Sequence, residues 1–244
     1  EAREEAAAAG VRYLVATPHL YLQALDGEAM LAQRLDQLEG AFQQMAEAVP
    51  EGLNVPELKF GQEVYAPEGS SIRRVVEDPR VGLGGTDFML VEFGFELQGD
   101  PDEVIETVHA AGRKIVVAHP ERYFFPNDID PMATMRRWRD AGALLQVNLG
   151  SLDEADSAYG SEAERLGWQL IEEGLAHLVS SDHHCRSRPQ ILHQEIHAAI
   201  SVRGGAEQAD LLLRENPLRI FQGVDPLPVP GLYETTAAAA RAGR

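Results

Sequence analysis

Cysteine is almost absent from this 244-residue chain: Cys185 is the only one. An internal disulfide is therefore excluded, and nothing points to an oxidising compartment. A lone thiol invites comparison with cysteine-dependent phosphatases, which need an arginine six positions after the nucleophile; Ile191 stands there, so that route fails. Positive charge is scarce as well. Lys and Arg total 21 against 39 Asp and Glu, for a net charge of −18, and Lys59 and Lys114 are the only lysines. That balance argues against a nucleic-acid partner, whose phosphates are held mainly by Lys and Arg, and against an anionic membrane surface. No apolar run reaches membrane-spanning length and the first residues do not form a signal peptide, so no membrane insertion is expected and the expected location is cytoplasmic. A phosphate-binding loop with Lys and Ser/Thr, and a Gly-x-Ser-x-Gly elbow, are both missing.

Short apolar runs alternate with helix-like segments. Val11–Thr17, Leu58–Gln62, Phe88–Val91, Ile115–Ala118, Leu144–Val147 and Ala176–Ser180 read as parallel strands. Glu1–Ala9, Glu28–Val49, Ser70–Glu77, Pro101–Ala111, Pro131–Ala141 and Glu162–Glu173 read as helices, several with proline at the first turn and glycine after the last. Two or three more helices are predicted through Phe221. This β-then-α order predicts an α/β fold, a small closed barrel in preference to an open sheet. A helix leading into a parallel strand normally follows an earlier strand, so one is expected upstream of Glu1. From Asp225 the composition turns to prolines and then to an Ala/Thr/Arg stretch. The predicted organisation is one domain over residues 1–223 and a disordered tail over 224–244.

Five strands run into a residue able to bind a metal: His19, Glu63, Glu92, His119, and Asp182 with His184 close behind. In a β/α barrel the C-terminal strand ends meet on one face, where chemistry sits. Carboxylate oxygen mixed with imidazole nitrogen suits Mn, Fe or Zn better than Ca. Arg122, in the loop after His119, offers a planar fork for phosphate oxygens, and Arg188 is a second candidate. The plainer alternatives are a surface loop in which Arg122 pairs with Glu121, and solvated strand-end carboxylates at Glu63 and Glu92. A glycosidase would also use two rim carboxylates, but it has no required role for the histidines, and with two tryptophans the chain is poor in sugar platforms. His109, His177, His183, His193 and His197 are expected to be structural.

Ala16-Thr17-Pro18-His19, Gly61-Gln62-Glu63, Leu90-Val91-Glu92-Phe93, Ala118-His119-Pro120-Glu121-Arg122, Gly150-Ser151-Leu152 and Ser181-Asp182-x-His184 follow one another in a familiar order. The pattern resembles bacterial protein-tyrosine phosphatases of the polymerase-and-histidinol-phosphatase (PHP) type, which act in capsule and exopolysaccharide regulation. The resemblance implies a distorted (β/α)7 TIM-like barrel holding up to three metal ions, usually manganese. It implies His19, Glu63, Glu92, His119, Asp182 and His184 as ligands, and Arg122 and Arg188 as phosphate-holding groups. The implied substrate is a phosphotyrosine-containing protein, such as a bacterial tyrosine kinase. That family opens with a strand bearing a His-x-His pair and a nearby acidic ligand. Neither stands in this sequence, so the chain is expected to lack the first strand and to hold its metals incompletely. Alternative readings are a small-molecule phosphatase of the superfamily acting on a histidinol-phosphate-like ester, or an inactive barrel that binds phosphopeptides.

Overall fold

The computed structural model describes residues 2–48, 55–97, 99–153, 159–184 and 193–232. Helix α1 (Ala2–Ala8) leads into β1 (Tyr13–Ala16), which stops at Thr17 and Pro18 and resumes as β2 (His19–Tyr21). Helix α2 (Gly27–Glu47) buries Leu31, Leu35 and Leu38 along one stripe, the spacing expected of an amphipathic helix. The next strand is likewise broken, into β3 (Glu57–Phe60) and β4 (Glu63–Tyr65). Helix α3 (Gly69–Ile72) is shorter than the predicted Ser70–Glu77. Beyond it the chain tightens into turns such as Val75 N–H to Ile72 O, 3.0 Å.

Regular alternation follows: β5 (Phe88–Glu92), α4 (Pro101–Ala110), β6 (Lys114–Ala118), α5 (Pro131–Asp140), β7 (Leu144–Asn148), α6 (Ser161–Glu172) and β8 (Ala176–Ser180). Asp100 and Asp130 cap α4 and α5 through backbone N–H groups, each just before the helix's first proline. Helices α7 (His193–Gly204) and α8 (Ala206–Asp210), a π-helical stretch Leu211–Glu215 and α9 (Asn216–Phe221) complete the fold.

All strand pairs are parallel: β1 with β3, and β2-β4-β5-β6-β7-β8 in chain order. Gly61 N–H to Ala16 O (2.9 Å) and Glu63 N–H to Pro18 O (3.3 Å) carry the ladder across both breaks, so β1–β2 and β3–β4 act as single strands. Pairing between β8 and the first strand is not among the strand pairs of the described residues. The predicted parallel α/β arrangement is the one found.

Residues two apart share a face of a strand. Met89, Val91, Ile115, Val117, Leu145, Val147 and Val179 turn toward the helices and join the large core. Phe88, Val116 and Leu178 turn the other way, with Leu90 and Leu144, and meet Leu83 and Ile220 in a second apolar cluster. On this inner face, apolar residues fill the N-terminal half and polar ones follow toward the C-terminal ends. The predicted tail, residues 224–244, is described through Leu232, and that part lies against the molecule. Val229 is buried, Leu227 exchanges two hydrogen bonds with the Asn216 side chain, and Gln208 donates to Pro230 O.

Candidate metal centre

His19 and Glu63 are register partners on β2 and β4, so the pleat sends both side chains to the inner face. Glu63 bridges two imidazoles: Oε2 lies 3.1 Å from His19 Nδ1 and Oε1 2.9 Å from His119 Nε2. Glu92 ends β5 and is buried, and ligand atoms of His19, Glu63 and Glu92 lie within 4.8 Å of one another. His119 and Asp182 follow directly on β6 and just after β8. They are the two non-glycine residues with positive φ among the described residues, at 34° and 43°. Such conformations cost of order 1–3 kcal/mol and persist where the surroundings over-determine them, commonly at functional sites. Here the left-handed turn swings each side chain back over the strand ends.

Asp182 is held from two sides: Oδ2 accepts from Arg122 Nη1 at 2.7 Å and from Asn148 Nδ2 at 2.9 Å. Asn148 is fully buried, and its Oδ1 accepts the Gly150 N–H at 2.8 Å, which fixes the amide with its NH2 toward Asp182. The Arg122 guanidinium lies between two rings, 3.9 Å from the Tyr159 centroid and 4.9 Å from that of Phe95. The alternative pairing of Arg122 with Glu121 is not what the structure shows. Glu121 turns into the core and accepts from Asn148 N–H at 2.9 Å and Ser151 Oγ at 2.8 Å.

Burial alone would raise the Glu63 carboxyl, but the His119 and His19 rings bonded to it hold it down at about 2. Glu63 in turn raises His19 against the effect of burial. Burial opposes charge on His119, yet the Glu63 bond outweighs it and that ring is raised as well. Glu92 is raised by burial first, then by the neighbouring Glu63 charge. One carboxylate thus balances two imidazoles, while on the second burial outweighs the opposing pull of His119, His19 and Arg122.

The donor set fits a divalent cation. His184 Nδ1 lies 2.8 Å from its own loop's Asp182 carbonyl oxygen, which can only accept, so Nδ1 carries the proton. His19 Nδ1 lies 3.1 Å from the Glu63 carboxylate without an aligned hydrogen bond, so that contact does not fix its tautomer. The Nε2 atoms of His19 and His184 face each other at 3.4 Å, and with Nδ1 protonated a neutral His184 can offer its Nε2 lone pair to a cation. Histidines that bind metals usually donate the other ring N–H to a carboxylate or backbone carbonyl, as His184 does here.

A cavity of about 600 Å³ opens over these groups, lined by His19, Tyr21, Tyr65, Glu92, Phe95, His119, Arg122, Asp182 and His184. Five of the six candidate ligands thus line the cavity with Arg122, and Glu63 lies against two of them, His19 and His119. Arg188 lies outside the described residues, as do Arg186 and Cys185. His197 is elsewhere, paired with Asp210 at 3.1 Å. Sequence reasoning missed Tyr21, Tyr65, Phe95 and the Asn148 support of Asp182. For Tyr21 and Tyr65 a signal existed, since each stands two residues after a candidate ligand on the same strand.

A parallel α/β array with imidazoles and carboxylates gathered toward its C-terminal strand ends defines a β/α protein with a candidate metal site. Residues 3–222 match the family "Capsular polysaccharide synthesis, CpsB/CapC", and the chain belongs to that family. It is also similar to a solved structure from work on YwqE from Bacillus subtilis and CpsB from Streptococcus pneumoniae, described as unique metal-dependent tyrosine phosphatases. The TM-score is 0.68 at 23% identity, covering 93% of this chain and 87% of the other. At that identity the likeness establishes the fold. No curated protein matches the chain.

Proposed function

We propose that this protein is a metal-dependent phosphomonoesterase that removes phosphate from phosphotyrosine in a protein substrate. The observation that carries this reading is the convergence of His19, Glu92, His119, Asp182 and His184 on one cavity beside Arg122, with Glu63 held against His19 and His119. Membership of the capsular polysaccharide family, and the description of the similar structures as tyrosine phosphatases, support the same chemistry.

In this reading the six residues hold the ions, with manganese assigned and iron or zinc suiting the same donors. When bound, such ions supply a water acidic enough to attack near neutral pH and neutralise phosphoryl oxygens. The chain's own contribution is positioning. Glu63 fixes the His19 and His119 rings, and Asn148 with Arg122 fixes Asp182. A guanidinium has five N–H donors, so the bond to Asp182 leaves others for the phosphoryl oxygens, whose charge Arg122 stabilises during displacement. Arg188 is assigned as a second phosphate contact. A tyrosyl oxygen, with a pKa near about 10, leaves with modest help. The phosphatase domain is assigned to residues 1–223, the partner to a bacterial tyrosine kinase that controls capsule or exopolysaccharide synthesis, and the location to the cytoplasm. No described helix is long and apolar enough to cross a membrane.

The test compares phosphate release from a phosphotyrosine peptide and from histidinol phosphate, with manganese and after chelation. Preference for the peptide and loss on chelation are expected. Preference for histidinol phosphate would remove the tyrosine assignment, and peptide binding without release would make the protein a binding module.

A further inference from the structure

We infer that Tyr21, Tyr65 and Phe95 form an aromatic collar that reads the leaving group, so that the cavity takes aryl phosphate monoesters in preference to alkyl ones. The inference rests on the phosphomonoesterase reading and adds the residues that choose its substrate.

Tyr21 and Tyr65 are register partners, two residues beyond the partners His19 and Glu63. The pleat therefore stacks one aromatic pair directly outside the candidate ligand pair, with ring centroids 5.8 Å apart. Phe95 joins from the loop after β5. Gly94, at φ 97°, turns the chain there, and a Cβ on it would lie 2.9 Å from Tyr65 Cε2. The backbone thus passes tightly against the Tyr65 ring and delivers Phe95 to the cavity, where it stacks on His119 with a 15° interplanar angle. Tyr21 and Phe95 remain 49% and 44% exposed, so neither ring is spent on the core.

Single exposed aromatics are ordinary on a soluble protein, but here three line one cavity above the candidate donor set, and Phe95 stays largely open to it while also flanking Arg122. They suit a flat apolar guest held by offset or edge-on ring contacts. A phenyl group fills the collar while its phosphate reaches the donors below. A phosphoserine has a single carbon between ester oxygen and backbone, so the same collar would meet peptide backbone and lose those contacts.

The test measures binding of phenylphosphonate and methylphosphonate by calorimetry to the manganese-supplemented protein, in the wild type and in Tyr21→Ala, Phe95→Leu and the double variant. Phosphonates are not hydrolysed, so the readout does not require turnover. The wild type is expected to favour the phenyl ligand by about tenfold, the scale of one or two ring contacts. Each single variant is expected to reduce that ratio, and the double variant to bring it close to unity. No preference in the wild type, an unchanged ratio in the double variant, or no phosphonate binding would overturn the collar. Hydrolysis without aryl preference would sink the collar and leave the phosphatase reading standing; aryl preference without hydrolysis would do the reverse.

Discussion

At the scale of single residues, the centre is governed by who holds whom. Asp182 sits in a left-handed conformation and is bonded by Arg122 and Asn148, while Glu121 braces Asn148 from below through its backbone N–H. These supports differ in kind, and variants separate them. Arg122→Ala is expected to keep bound metal but lower turnover by about 10²–10³, the usual loss for one preorganised donor to a developing anion. Steady-state kinetics with elemental analysis checks this, and metal loss in that variant would contradict the role given to Arg122. Glu121→Ala leaves the Ser151 hydroxyl and Asn148 N–H without their buried acceptor. It is expected to cost about 1–3 kcal/mol in urea unfolding. The candidate ligands were legible because each closes an apolar run. Asn148 was not, since a buried asparagine closing a strand looks like many others until its partner is seen.

At the scale of elements, Tyr123 links two strand ends: its hydroxyl donates to Ala118 O at 2.8 Å and accepts the Phe93 N–H at 3.2 Å. Trp138 on α5 packs edge-on against Phe93 at 5.2 Å, so the outer helix supports the loops that carry His119 and Phe95. Tyr123→Phe removes both bonds in a buried place and is expected to destabilise by about 1–3 kcal/mol and to weaken metal retention, read by thermal unfolding and metal content together. His177 on β8 supplies a pH signature away from the centre. Its Nδ1 accepts the Leu145 N–H of β7 at 3.0 Å, which requires an unprotonated nitrogen. Burial, with Arg139 nearby, pushes its pKa down to about 4. The folded state therefore resists a proton that the unfolded chain takes up near pH ~6.5. Stability from this group is full above that value and falls as pH drops toward about 4. Replacing His177 with Asn is expected to flatten that part of the pH–stability curve by on the order of 3 kcal/mol. An unchanged acid limb would refute the argument. Strand and helix order was readable because buried parallel strands are short apolar runs punctuated by glycine and proline. That each strand resumes beyond its Pro18 or Gly61 break was not, because β2 and β4 are set by pairing with each other and not by local composition.

At the scale of the whole molecule, an acidic chain with a net charge of −18 folds around an apolar plug and gathers its imidazoles and carboxylates at one end. Placing Glu63 and Glu92 together in a buried site repels as long as both are ionised, and a bound cation relieves that repulsion. Manganese is therefore expected to raise the melting temperature, by about 2.7 kcal/mol of added stability at a hundredfold excess over its dissociation constant, and a chelator to reverse it. The general position of the site was legible from strand order alone, because parallel β/α folds present their C-terminal ends together. The collar was not, since Phe95 follows a glycine turn that no periodicity marks. The central claim is that side chains from five strand ends share divalent ions, and equilibrium dialysis against manganese with elemental analysis measures this directly. The wild-type protein should retain the ion, and His119→Ala and Asp182→Ala should each release it while staying folded. Manganese absent from the wild type, or retained equally by both variants, would contradict the account.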